Sequence, residues 1–195
     1  DTTWEGLFEV NNSGYFTLQN TQFNLASGGL KSFYGCFFHS TGKSMDGNTI
    51  TVTNCSSVTS DPWDGSDGMF IPNNAGGIFG DDCADGGTVN LTYCYNEIPI
   101  KPTHTDNGAG GLTGSSPTLD SGTLIIKYCY NSGDILSNNC GGLIGHNQQS
   151  GTVTIFNCYN TGNGNDSNNQ GGIVGYNATG TVNIYNCWSS GSNLT

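Results

Sequence analysis

A block of five residues recurs four times, and it constrains this chain more than any other feature. It reads GGIFG at Gly76 to Gly80, GGLTG at Gly110 to Gly114, GGLIG at Gly141 to Gly145 and GGIVG at Gly171 to Gly175. Successive copies lie 34, 31 and 30 residues apart. A second block follows each: TVNLTYCY from Thr88, TLIIKYCY from Thr123, TVTIFNCY from Thr152 and TVNIYNCW from Thr181. A glycine precedes each of those threonines (Gly87, Gly122, Gly151, Gly180). Two aligned blocks at a nearly fixed period mark a repeat architecture, in which each unit buries its apolar face against the next.

The second block reads as strand. In Thr152 to Tyr159, Val153 and Ile155 alternate with Thr152 and Thr154, a period of two. Thr, Val, Ile and Tyr dominate it, and these side chains suit a pleated surface. Glycine accounts for 31 of 195 residues, and with Asn-rich turns it interrupts the chain too often for ordinary helices. The block also runs back into the first third of the chain. Asn48 to Ser56 (NTITVTNCS) matches well, Gly29 to Gly42 matches loosely around Cys36, and Gly14 to Thr21 matches with Thr21 in the cysteine's place. The resulting ladder is Thr21, Cys36, Cys55, Cys94, Cys129, Cys158 and Cys187. The expected fold is all-β, a parallel β-helix (solenoid) over residues 13–195 with short N-terminal coils and C-terminal coils of about 30 residues. It has about seven coils and stands ~30 Å tall at a strand spacing of ~4.8 Å. Residues 1–12 read as an N-terminal cap or strand-exchange segment.

Charge narrows the partners. Four lysines (31, 43, 101 and 127) and no arginine stand against 15 acids, for a net charge of −11. No basic stripe exists to displace counterions from phosphates, which excludes nucleic acid, and anionic membrane surfaces are excluded on the same ground. No apolar run approaches the ~18 residues of a membrane span. The sequence starts at Asp1, and a removed leader is expected. Eight cysteines among frequent sequons point to a secreted, oxidising, extracellular setting.

Repeat position assigns the conspicuous side chains. Cys36, Cys55, Cys94, Cys129, Cys158 and Cys187 read as an interior ladder of small apolar thiols. Cys83 and Cys140 lie off it and are the first candidates for a disulfide. Asn20, Asn54, Asn157 and Asn186, each just before the ladder residue, read as a buried amide ladder. Phe37, Tyr95, Tyr130, Tyr159 and Trp188 form a parallel aromatic stack at a corner, which if exposed could also hold sugar rings. Asn11, Asn90, Asn165, Asn177 and Asn193 are glycosylation candidates, whereas Asn54, assigned to the inner ladder, is expected to stay bare unless the strand has already turned outward there. Asp61, Asp64 and Asp67, and Asp81, Asp82 and Asp85, are oxygen-rich loops in which calcium is the one cofactor to consider; no metal-ligand spacing is present.

The GGhhG block followed by T-h-x-h-x-N-C-Y-N-T-G (h, hydrophobic) resembles the GLUG motif, a short repeat of large bacterial surface proteins and adhesin-like chains. The resemblance covers about residues 76 to 195; the first 75 residues resemble only a general right-handed parallel β-helix. It implies a single right-handed β-helix in an extracellular surface protein, and it carries over no catalytic residue.

One enzymatic alternative has a sequence basis. Gly80-Asp81-Asp82 resembles the paired aspartates of polygalacturonases, and Gly145-His146 faintly resembles their Gly-His motif. Those enzymes need a basic clamp for an acidic sugar, and this chain has no arginine. His39, His104 and His146 are isolated. The expectation is therefore a non-enzymatic, secreted structural subunit joining itself head to tail in a glycosylated surface fibre. Trp4, Leu7, Phe8 and Val10 are the candidate assembly residues. An adhesin-type glycan-binding module is the alternative.

Overall fold

The Thr-rich segments extend, and each pairs in parallel with its equivalent one repeat away. The computed structural model describes residues 6–8, 14–25, 35–38, 47–60, 75–101, 108–115, 117–118, 121–146, 150–164, 169–176 and 179–194. Strands β1 (Tyr15–Gln19), β3 (Thr49–Thr53), β5 (Thr88–Thr92), β7 (Thr123–Lys127), β9 (Thr152–Phe156) and β11 (Thr181–Tyr185) form one six-stranded parallel sheet in that order. A corner follows each, and then a shorter strand of a second six-stranded parallel sheet. These are β2 (Gln22–Leu25), β4 (Ser56–Thr59), β6 (Tyr95–Asn96), β8 (Tyr130–Asn131), β10 (Tyr159–Asn160) and β12 (Trp188–Ser189). The chain alternates between sheets and advances one strand at each passage, which makes six rungs among the described residues, from rung 1 (β1, β2) to rung 6 (β11, β12). The GGhhG blocks supply a third column, in which isolated parallel bridges join Gly76, Gly110, Gly141 and Gly171. The architecture is nearly all β and compatible with a parallel β-solenoid.

Alternation fixes the register. Val89 pairs with Leu124 and Leu124 with Val153; Leu91 pairs with Ile126 and Ile126 with Ile155. All six are fully buried, while Asn90, Ile125 and Thr154 between them lie on the outer face and are half-buried. A slip of one residue would turn all six to the solvent face. From the third column Phe37, Ile78, Leu112 and Leu143 close the core with no exposed surface.

Three expectations are corrected. Gly35 bridges Gly76, and Phe38 bridges Phe79, so Gly-Cys-Phe-Phe is a degenerate GGhhG block and Cys36 sits at its second glycine. Cys36 therefore leaves the cysteine ladder and Phe37 leaves the aromatic stack, and the described residues form six rungs where about seven coils were expected. Equivalent residues of successive rungs are separated by 34, 39, 35, 29 and 29 positions, so the N-terminal coils are the long ones. The third correction concerns the asparagines before the cysteines. They occupy the left-handed corner between the sheets, with φ of 54° at Asn20, 53° at Asn54, 52° at Asn157 and 51° at Asn186. Asn tolerates that conformation better than other side chains, and the corner turns it outward. Asn20, Asn54 and Asn186 are exposed and Asn157 is half-buried, so no buried ladder forms there.

Candidate functional site

The buried amide ladder exists three positions further on. Ser57 Oγ donates to Asn96 Oδ1 (2.7 Å), Asn96 Nδ2 to Asn131 Oδ1 (2.8 Å), Asn131 Nδ2 to Asn160 Oδ1 (2.8 Å) and Asn160 Nδ2 to Ser189 Oγ (3.3 Å). The same amides donate within their own rungs to the carbonyls of Ile98, Gly133 and Gly162. Ser57, Asn96, Asn131 and Asn160 are buried, and the bonds satisfy what burial would otherwise make costly. Across the core the second glycine of each GGhhG block leaves room for an amide. A Cβ on Gly77, Gly111 or Gly142 would lie 2.4, 2.3 or 2.4 Å from Cγ of Asn96, Asn131 or Asn160. The two sequence blocks are thus two walls of one slot.

Cys55, Cys94, Cys129, Cys158 and Cys187 do form a column. The Sγ atoms of Cys129, Cys158 and Cys187 accept the backbone N–H of the cysteine one rung earlier at 3.3, 3.4 and 3.4 Å. No disulfide joins any of the eight cysteines, and seven are buried. Burial pushes the Cys129 thiol well up. The expected Cys83–Cys140 bond is absent. The Cys83 thiol faces the Pro117 carbonyl, and Cys140 occupies the column of Ala75 and Ala109. They lie two rungs apart, about 10 Å along the axis, beyond the reach of a disulfide.

The aromatic stack follows the second sheet. Tyr95, Tyr130, Tyr159 and Trp188 lie with centroids 4.7, 5.0 and 4.9 Å apart and planes within 2°, 3° and 4°. Their faces are turned on one another, so a sugar ring reaches only edges along most of the stripe. A pair missed in the sequence stands at the corner itself. Tyr93 and Tyr128 occupy the left-handed position, each with φ 54°, where four rungs use asparagine. They stack at 5.1 Å and are 56% and 45% exposed. A tyrosine one place before a ladder cysteine was the available signal.

Bridges from Phe79 to Thr113 and from Thr113 to Ile144 carry Asp81, Ser115 and His146 into one outer column. Ser115 Oγ donates to the His146 carbonyl (3.2 Å), not to its ring. The imidazole packs beside Tyr176 with 7% exposure, its Nε2 has no hydrogen-bond partner, and burial lowers its pKa. Asp82 is pushed up to about 6, first by burial and then by the charges of Asp81 and Asp85. No three side chains of His, Cys, Asp or Glu converge on a metal position among the described residues. Asp61, Asp64, Asp67, His39 and His104 lie outside the described residues.

The sequons also divide. Asn193 is exposed, and Asn90 is half-buried on the outer face of β5 between Thr51 and Ile125. Asn11, Asn165 and Asn177 lie outside the described residues, as do the assembly candidates Trp4 and Val10. Of the other two, Leu7 is 44% exposed and Phe8 bridges Phe38 of its own chain, its N–H donating to the Phe37 carbonyl (2.8 Å).

The end rungs stand apart. Ile184 of β11 is 45% exposed and Trp188 of β12 is 52% exposed, whereas Ile155 one rung inward is fully buried. At the other end Phe16, Leu18 and Phe23 are half-buried, where Ile50 and Val52 are buried. Among the described residues β1 and β11 each have a strand on one side alone. No family model, curated protein or solved structure matches this chain.

Proposed function

We propose that the chain is a single right-handed parallel β-helix of GLUG-like repeats, acting as a secreted structural subunit that joins head to tail in a glycosylated extracellular fibre. The observation that carries this reading is the pair of end rungs. Among the described residues each presents the inward column of the internal rungs with a strand on one side alone, and the pairings between rungs are parallel and in register. Strand β11 of one copy set on β1 of the next continues the sheet, with Val182 over Phe16 and Ile184 over Leu18. Contacts of this kind do not close on themselves, so repetition makes a filament. The open edges would otherwise be a liability. Trp188 contributes a free ring face at the same end.

The adhesin alternative needs exposed ring faces along the side, and the stacked stripe offers mainly edges. No catalytic role is assigned. Asp81 and His146 stand two rungs apart, with the histidine turned into the fold.

An edge variant tests the reading. Ile184→Lys places a charge in the end face and is expected to abolish polymerisation while leaving the monomer folded. Thr154→Lys, on the outer face of β9, is the control and should polymerise normally. Undiminished filament growth by Ile184→Lys would sink the head-to-tail joint.

A further inference from the structure

We propose that Asn54 is an N-glycan acceptor and that the exposed ring of Tyr93 is the platform against which its first sugar packs. The inference rests on the secreted reading above and names a site that the sequence pattern alone assigns to the interior. Asn54-Cys55-Ser56 is a sequon, and its asparagine is exposed at the left-handed corner of rung 2. The Asn54 N–H donates to the carbonyl of Thr92 (3.0 Å), the residue before Tyr93, just as the Tyr93 N–H donates to Lys127 (3.1 Å). Asn54 and Tyr93 are therefore the same corner on adjacent rungs, about 4.8 Å apart.

One face of Tyr93 lies on Tyr128 in the rung beyond. Its other face is on the side of Asn54. Tyrosine in the left-handed region is strained, and it occurs here in two rungs where asparagine serves the other four. The strain holds a half-exposed phenol ring beside a glycosylation sequon. The apolar C–H face of a pyranose is the chemical match to such a ring.

Transfer joins C1 of a lipid-linked pyrophosphoryl oligosaccharide to Nδ2 of Asn54. The C1–N bond forms as the C1–O bond to phosphate breaks, the lipid pyrophosphate leaves, and the transferring enzyme's base takes one amide proton. Cys55 and Ser56 are buried in the folded chain, so transfer precedes closure of this corner. The product keeps one N–H on Nδ2, enough for its bond to Asn20 Oδ1 (2.8 Å).

The test secretes four proteins from a eukaryotic host that performs N-glycosylation: the unmodified sequence, Asn54→Gln, Tyr93→Asn and the double variant. Glycopeptide mass spectrometry is expected to find Asn54 occupied. Tyr93→Asn relieves backbone strain but removes the platform, so its effect should change sign. It should raise the Tm of the Asn54→Gln protein and lower that of the glycosylated protein, each by about 2 °C. A bare Asn54, or the same shift in both backgrounds, overturns the proposal. Filament formation is scored separately, so a chain that glycosylates Asn54 without polymerising counts against the fibre reading alone.

Discussion

Rung 2 and rungs 3 to 5 fill the same cross-section with different residues. In rungs 3 to 5 a glycine faces a buried asparagine, as in Gly77 with Asn96, Gly111 with Asn131 and Gly142 with Asn160. In rung 2 the glycine's place is taken by Cys36 and the asparagine's by Ser57, and the two side chains hydrogen-bond. Either pair carries four non-hydrogen side-chain atoms. What persists from rung 2 to rung 5 is the volume of the slot and a polar bond within it, not the identity of either residue. Interiors packed at crystal-like density select for this.

The comparison breaks most sharply at the glycine. Gly111→Ala would set a Cβ 2.3 Å from both the Asn131 Cγ and the Gly142 carbonyl oxygen. Backbone cannot yield cheaply there, so a loss of about 3 kcal/mol is expected in urea unfolding. A midpoint within error of the parent would show the slot to be loose. The swap in rung 2 is subtler. Cys36→Gly alone leaves a cavity, and Ser57→Asn alone overfills the slot, each costing about 2 kcal/mol. Together they rebuild the pair found in rungs 3 to 5, and most of the loss should return as a coupling of about 2 kcal/mol. Additive losses would separate the two walls.

The smallest effect compares the outer loops of rungs 3 and 5. Asp82, at about 6 against an ordinary 3.8, binds its proton earlier folded than unfolded. Its contribution to stability therefore rises as pH falls from above 6 to below 3.8. His146 works in the opposite sense. With its folded pKa below 6.5, the unfolded chain takes the proton first, and stability falls on acidification below 6.5. The difference between wild type and Asp82→Asn, followed by thermal melts from pH 7 to pH 4, isolates the aspartate. Wild type should gain on the variant as the solution is acidified; a flat difference contradicts the raised pKa.

The sequence carried the strands because alternation is a local property. Val89 and Leu91, or Val153 and Ile155, announce their buried face without any knowledge of neighbours. It hid the amide ladder because rung 5 has asparagine at both positions, Asn157 and Asn160, and composition does not tell which faces inward. Backbone conformation decides: the left-handed corner turns Asn157 away, and the strand after it turns Asn160 in. Rungs 3 and 4 held the clue, since Tyr93 and Tyr128 replace the corner asparagine there while Asn96 and Asn131 remain. Cys36 misled for the reason that opens this comparison. Its block lost the double glycine while keeping the packing, so only pairing with Gly76 and Phe79 reveals its column. The end rungs needed the fold, because the exposure of Ile184 or Leu18 depends on which strands lie beside them.

Electron microscopy of the purified chain at neutral pH, without denaturant, distinguishes a filament subunit from a monomer. Head-to-tail stacking of six rungs predicts regular unbranched filaments with an axial repeat of about 29 Å. Dispersed single particles at every concentration would contradict it.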